Sequence, residues 1–198
     1  MKNLFFTLFI AISSVTFAQT NSYETFSKSY AYENTREFQK AIQVLSTLPE
    51  SSYSVQLRLG WLHYLNADYI KSKLHYNKAI LINRKSIEAR LGLIYPLTAL
   101  SSWDEVIKTY NAILEIDINH SSSHYQLAYI YYVRKMYTQS EAHLKKVLEM
   151  FPFDYNSNAL LGSVYVKQGK IKEAKYHYTR AMEYNPMDAD IKAILNGL

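Results

Sequence analysis

YNSNALLGSVYVKQGKIKEAKYHYTRAMEYNPMD, residues Tyr155 to Asp188, decides the fold. Ala159, Leu160, Gly162, Ser163 and Tyr165 fit one face of a helix. Gly169 stands where that helix must stop, because glycine adopts the left-handed backbone without steric cost. A second helix runs through Glu173-Ala174, Tyr178 and Ala181-Met182, and Pro186 follows its end. Gly162 and Ala174 carry little or no side chain, so two antiparallel helices can approach closely there. Tyr165 and Tyr178 fill the wider gaps. The stretch reads as a helix hairpin whose apolar face needs a neighbour to cover it.

Neighbours of the same kind precede it. Phe38, Tyr69, Trp103, Tyr137 and Ile171 are separated by 31, 34, 34 and 34 residues. Ala41, Ser72, Val106, Ser140 and Ala174 form a mostly small column in the same register. Leu45, Tyr76, Tyr110, Leu144 and Tyr178 form a large one, and Leu48, Ala79, Ile113, Val147 and Ala181 follow three residues later. A fixed period of this length means a helical repeat protein. The units run over about 22–52, 53–86, 87–120, 121–154 and 155–188, with a closing helix over 189–198. Asp188 is placed to cap that helix.

The chain resembles the tetratricopeptide repeat family. The likeness rests on Leu161-Gly162, Tyr165, Gly169, Glu173-Ala174, Tyr178, Ala181 and Pro186, and recurs as Leu59-Gly60, Tyr69, Ser72, Tyr76 and Ala79-Ile80. The fourth unit repeats it with Leu127-Ala128, Tyr131, Tyr137, Leu144, Val147 and Pro152. The third keeps Trp103, Tyr110 and Ile113-Leu114 but has Ile94 where a small residue is usual. The first is three residues short and has Lys28-Ser29 for the usual Leu-Gly, as a capping repeat would. The resemblance implies an all-α, right-handed solenoid of about five antiparallel hairpins plus a C-terminal capping helix. It implies no single activity, since the family serves many partners.

The ends and the composition set the context. Lys2, the apolar run Leu4 to Phe17 and Thr16-Phe17-Ala18 make a signal peptide over residues 1–18, cleaved after Ala18. Fourteen helical residues reach about 21 Å, short of a hydrocarbon core of about 30 Å, so cleavage is favoured over a permanent anchor. The expected location is periplasmic or secreted, with no stable membrane insertion afterwards. The chain has no cysteine, which excludes disulfides and a thiol nucleophile. A composition 48% hydrophobic and 15% aromatic excludes a mostly disordered chain. The lysines are spread along helices and read as solvated faces, so no nucleic-acid partner is expected.

The sequence lacks His-Glu-x-x-His, Gly-x-Ser-x-Gly and a phosphate-cradling glycine loop, and no enzyme is expected. Asp188-x-Asp190 lacks the Gly and Glu of a calcium loop. His120 and His124 have a spacing that can hold a metal, but no third ligand stands near. Neither a metal nor a cofactor is expected, and His63, His75, His143 and His177 read as scattered packing or surface residues.

The stronger signal is aromatic, with nineteen tyrosines in 198 residues. In the family it resembles, the first helix of each unit lines a concave groove. That placement implicates Tyr23, Phe26 and Tyr30 in the first unit, Trp61 and Tyr64 in the second, Tyr95 in the third, and Tyr125, Tyr129 and Tyr132 in the fourth. Arg58 and Lys167 would add positive charge. Tyr and Trp offer large contact area at low entropic cost, which suits them to interfaces. The expectation is an exported, non-enzymatic adaptor that holds a protein segment in an aromatic groove. A docking subunit of a cell-envelope assembly, using the basic helix with Lys170, Lys172, Lys175 and Arg180, and a glycan-binding solenoid are the alternatives.

Overall fold

The computed structural model describes residues 22–198; the expected signal peptide over 1–18 and its expected cleavage site lie outside them. All regular structure among the described residues is helical. Residues 22–34 form α1, followed by α2 (Phe38–Leu45), α3 (Tyr53–Leu65), α4 (Tyr69–Ile82), α5 (Ile87–Ala99) and α6 (Trp103–Leu114). Then come α7 (Ser121–Val133), α8 (Tyr137–Met150), α9 (Tyr155–Lys167), α10 (Ile171–Tyr184) and α11 (Ala189–Gly197). The column that begins with Phe38 marks the first residue of each second helix, from α2 to α10.

The chain forms two compact units, one running to Val106 and one from Ile107 to Leu198. In the first, α3 and α4 make a hairpin, with α2 against α3 and α5 against both. In the second, α7–α8 and α9–α10 are hairpins, α8 packs on α9, and α11 lies on α10. The small column is fully buried, at 0% exposure for Ala41, Ser72, Ser140 and Ala174. Its two serines also tie their hairpins together. Ser72 Oγ donates to the Gly60 carbonyl (2.7 Å) and Ser140 Oγ to that of Ala128 (2.8 Å). A Cβ on Gly60 or Gly162 would stand 2.9 Å from the ring of Tyr76 or Tyr178. On Gly92 it would stand 2.1 Å from Tyr76, whose ring is therefore held by glycines on both α3 and α5.

The helix ends repeat too. Ser86, Asp154 and Asp188 cap α5, α9 and α11 with side-chain oxygens that accept from Ala89, Ser157 and Ile191 N–H. At the equivalent position His120 Nδ1 accepts from Ser123 N–H (3.2 Å), so its ring serves as a cap. Asp188 thus has the capping role read from sequence, and Ile191 behind it is buried in the core of the second unit.

The turn inside each hairpin has a left-handed residue. Gly169 has φ +73°, as expected, but Arg36, Ala67, Ser101 and Lys135 have φ of 60°, 58°, 55° and 61° in the same register. The N–H of the next residue reaches back five residues in every case. The bonds are Glu37 to Tyr32 O (2.8 Å), Asp68 to His63 O (2.9 Å), Ser102 to Leu97 O (2.9 Å), Met136 to Tyr131 O (2.8 Å) and Lys170 to Tyr165 O (2.9 Å). This Schellman geometry satisfies the last helical carbonyls and fixes the reversal. Four of the five turns thus adopt it without the glycine that signals it.

The histidines are not scattered. His75, His143 and His177 occupy one column of the second helices, and each meets a polar residue nineteen positions earlier. His75 Nδ1 pairs with Gln56 Oε1 (2.8 Å), His143 Nδ1 with His124 Nδ1 (2.9 Å) and His177 Nδ1 with Asn158 Oδ1 (2.9 Å). Gln56, His124 and Asn158 are buried, so these bonds satisfy groups that water cannot reach. His124 Nε2 lies 2.9 Å from the Ile118 carbonyl and must donate to it, which leaves its Nδ1 to accept from His143. Burial, reinforced by the neighbouring His124, pushes the His143 pKa down to about 4. Burial, with His63 stacked at 5.0 Å, does the same for His75.

Candidate interaction groove

The groove of the first unit is built from three helices. α1 supplies Phe26, Tyr30 and Glu33; α3 supplies Tyr53, Leu57, Arg58 and Trp61; α5 supplies Ile87, Glu88, Leu91 and Tyr95. The cavity measures about 980 Å³, a volume in the range of ligand-sized clefts. Leu57 and Trp61, and Leu91 and Tyr95, are four residues apart, so each pair stands on one face of its helix.

The rings are held in fixed relation. Trp61 lies 5.7 Å from Tyr64 and 5.9 Å edge-on from Tyr95, and Tyr64 lies 5.4 Å from Tyr95. Trp61 Nε1 donates to Glu33 Oε1 (2.8 Å), which fixes the indole plane and leaves its apolar surface to the cavity. Tyr30 and Tyr95 remain 52% and 51% exposed on the two sides, so they are not core residues.

Arg58 departs from the sequence expectation. It is only 7% exposed, pairs with Glu33 and stacks its guanidinium 3.7 Å from the Tyr30 ring centroid. It therefore braces the floor and does not offer a free positive charge. Glu88, exposed at the rim, accepts from Tyr53 Oη (3.0 Å). Two carboxylates against one guanidinium leave this lining slightly negative, so Arg58 does not add the positive charge expected of it. The sequence did not reveal this, because Glu33 lies twenty-five residues from Arg58 and on another helix.

The remaining expected residues fall elsewhere. Tyr23 is 76% exposed and does not line the cavity. In the second unit Tyr125 lines a separate pocket of about 360 Å³ with Ser121, Phe151 and Asn156. Tyr129 is half exposed, while Tyr132 packs 6.0 Å from Tyr137 and borders the core. Lys167, at the end of α9, is exposed. Of the eleven residues, the structure thus brings together Phe26, Tyr30, Arg58, Trp61, Tyr64 and Tyr95. No group of three or more His, Asp or Glu among the described residues is placed to hold a metal ion.

Residues 155–187 match the tetratricopeptide repeat family. The chain carries a tetratricopeptide repeat in this unit. Its fold matches that of a tetratricopeptide repeat protein from Parabacteroides merdae, with a TM-score of 0.74 and 17% identity over 87% of this chain and 70% of that one. MamA from Desulfovibrio magneticus gives 0.69 at 14% identity, over 85% of this chain and 98% of that one. YrrB, described as having an unusual peptide-binding site, gives 0.68 at 15% identity, over 88% and 91%. At these identities the likeness is one of fold. The anaphase-promoting complex subunit CDC16 of Saccharomyces cerevisiae is 26% identical over 110 residues, which span 52% of this chain and 13% of that protein. Tetratricopeptide repeats are in general protein-interaction modules without catalysis of their own, and this chain shares that scaffold. No helix among the described residues is long and apolar enough to cross a membrane.

Proposed function

We propose that this tetratricopeptide-repeat protein is a non-enzymatic adaptor that holds a peptide segment of another protein in the groove of its first unit. The carrying observation is the preassembled Trp61–Tyr64–Tyr95 cluster, of which Trp61 and Tyr95 line a cavity of about 980 Å³, with Tyr30 also in the lining and Arg58 neutralised by Glu33. Such rings give binding area with little entropy left to lose. The slightly negative lining selects a segment with apolar or aromatic side chains and a basic residue placed near Glu88. The peptide-binding site described for YrrB supports a peptide ligand for this fold. The leader and Ala18 site read from the sequence support an exported setting.

The test is selection from a random peptide library displayed on phage, followed by titration of the selected peptide against the wild type and a Trp61→Ala, Tyr95→Ala variant with unchanged helicity. The expected result is enrichment of aromatic and basic residues, with binding at least a hundredfold weaker in the variant. Equal binding by both proteins would remove the groove from the function.

A further inference from the structure

The second helices bury one side and turn the other outward. In α4 the buried side is Ser72, Tyr76 and Ala79. The opposite side carries Ile70, Leu74 and Leu81, exposed to 67%, 51% and 71%. No other second helix has this. At the same three positions the first hairpin carries Gln39, Gln43 and Glu50, and the third Asp104, Lys108 and Glu115. The fourth has Thr138, Ala142 and Glu149, and the fifth Lys172, Tyr176 and Glu183. The repeat therefore needs no apolar residue there, and α4 exposes three of them at a cost in solubility that packing does not explain.

The spacing is specific. Ile70, Leu74, Asn77 and Leu81 advance by four, three and four residues, the alternation of a coiled-coil seam over about three turns. The positions that flank such a seam are Lys71, Lys73, Lys78 and the half-buried Ile80, three lysines in four. The helix itself has no carboxylate, and Arg84 and Lys85 follow it. Asp68, Glu105 and Glu50 pair with the three flanking lysines, which leaves this surface at a net charge of about +2.

We propose that the outward face of α4 is a docking seam for an acidic amphipathic helix of another protein, with leucine or isoleucine at the seam and glutamate beside it. Charge decides the occupant. A second copy of α4 would set one surface of net positive charge, with Arg84 and Lys85, against another, which disfavours self-pairing. A bilayer would require a broader apolar face than this narrow stripe. A glutamate-flanked helix matches both the pattern and the charge.

The probes are two labelled 21-residue peptides with the same leucine/isoleucine seam, one flanked by glutamates and one by lysines. They are titrated by fluorescence anisotropy against the full chain and against an Ile70→Asp, Leu74→Lys, Leu81→Glu variant. That variant installs the residues that the third hairpin already carries, so it keeps the fold, and circular dichroism checks this. The expected result is binding of the glutamate peptide, at least tenfold weaker for the lysine peptide and at least tenfold weaker in the variant. A Trp61→Ala, Tyr95→Ala protein should bind it as the wild type does, which separates this seam from the groove. The proposal is overturned if the two peptides bind alike, if the variant binds as the wild type does, or if the groove variant alone loses binding. It is also overturned if the wild type sediments with phosphatidylglycerol vesicles while neither peptide binds.

Discussion

Glycine should stabilise this protein at the four turns where it is missing. Arg36, Ala67, Ser101 and Lys135 all adopt the left-handed backbone, and all four side chains are exposed. A residue with a Cβ spends about 1–2 kcal/mol in that conformation. Glycine avoids the strain but loses more backbone entropy on folding, about 0.5–1 kcal/mol. The difference is a gain of roughly 0.5–1 kcal/mol per Xaa→Gly substitution. The sites lie in separate turns with separate hydrogen-bond partners, so the gains should add to roughly 2–4 kcal/mol. For a chain of this size that corresponds to a Tm rise of roughly 4–16 °C. Urea titration and calorimetry of the four single variants and their combination measure it. Gly169→Ala is the mirror experiment and should destabilise by about 1 kcal/mol. Glycine variants that are neutral or destabilising, together with a silent Gly169→Ala, would refute the strain argument.

Acid should weaken the fold in two stages. His75 and His143 have folded pKa values near 4, below the ordinary 6.5, so between these values the unfolded chain takes up protons that the folded one refuses. Stability should therefore fall as pH drops from about 6.5 to 4, and a urea midpoint that stays constant between pH 7 and 5 would contradict this. Burial alone would raise the Glu141 pKa, but hydrogen bonds from Lys145, Gln168 and Lys170 hold it at about 2. Its contribution is present above about pH 4.5 and is lost toward pH 2, so Glu141→Gln should destabilise by about 1–2 kcal/mol at pH 7 and by little near pH 2. Gly92→Ala should cost about 2–3 kcal/mol, since its Cβ would enter the Tyr76 ring; adding Tyr76→Leu, the residue type of Leu144 in the same column, should recover part of that in urea titrations.

Helix positions were legible before any coordinates. Periodicity and stop signals are local, and they repeat, so Phe38, Tyr69, Trp103, Tyr137 and Ile171 gave the period and Asp188 the cap of the closing helix, while the structure makes that column the first residue of each second helix. Half of the groove was legible for a different reason. The resemblance placed Phe26, Tyr30, Trp61 and Tyr95 on first helices, but whether a ring is core or surface depends on what packs over it. That is why Tyr132 borders the core while Tyr30 stays open.

The sequence by itself determined the repeat, its register and the hairpin. Each is encoded within some thirty-four residues and reinforced by five copies, so one weak copy cannot obscure it. Only the tertiary structure decided that Glu33 neutralises Arg58, that histidines pair across helices, and that four turns are left-handed without glycine. These are pairings between helices, or backbone states imposed by packing. Neither leaves a local residue preference, because burial and neighbouring charge override intrinsic propensity once the helices meet.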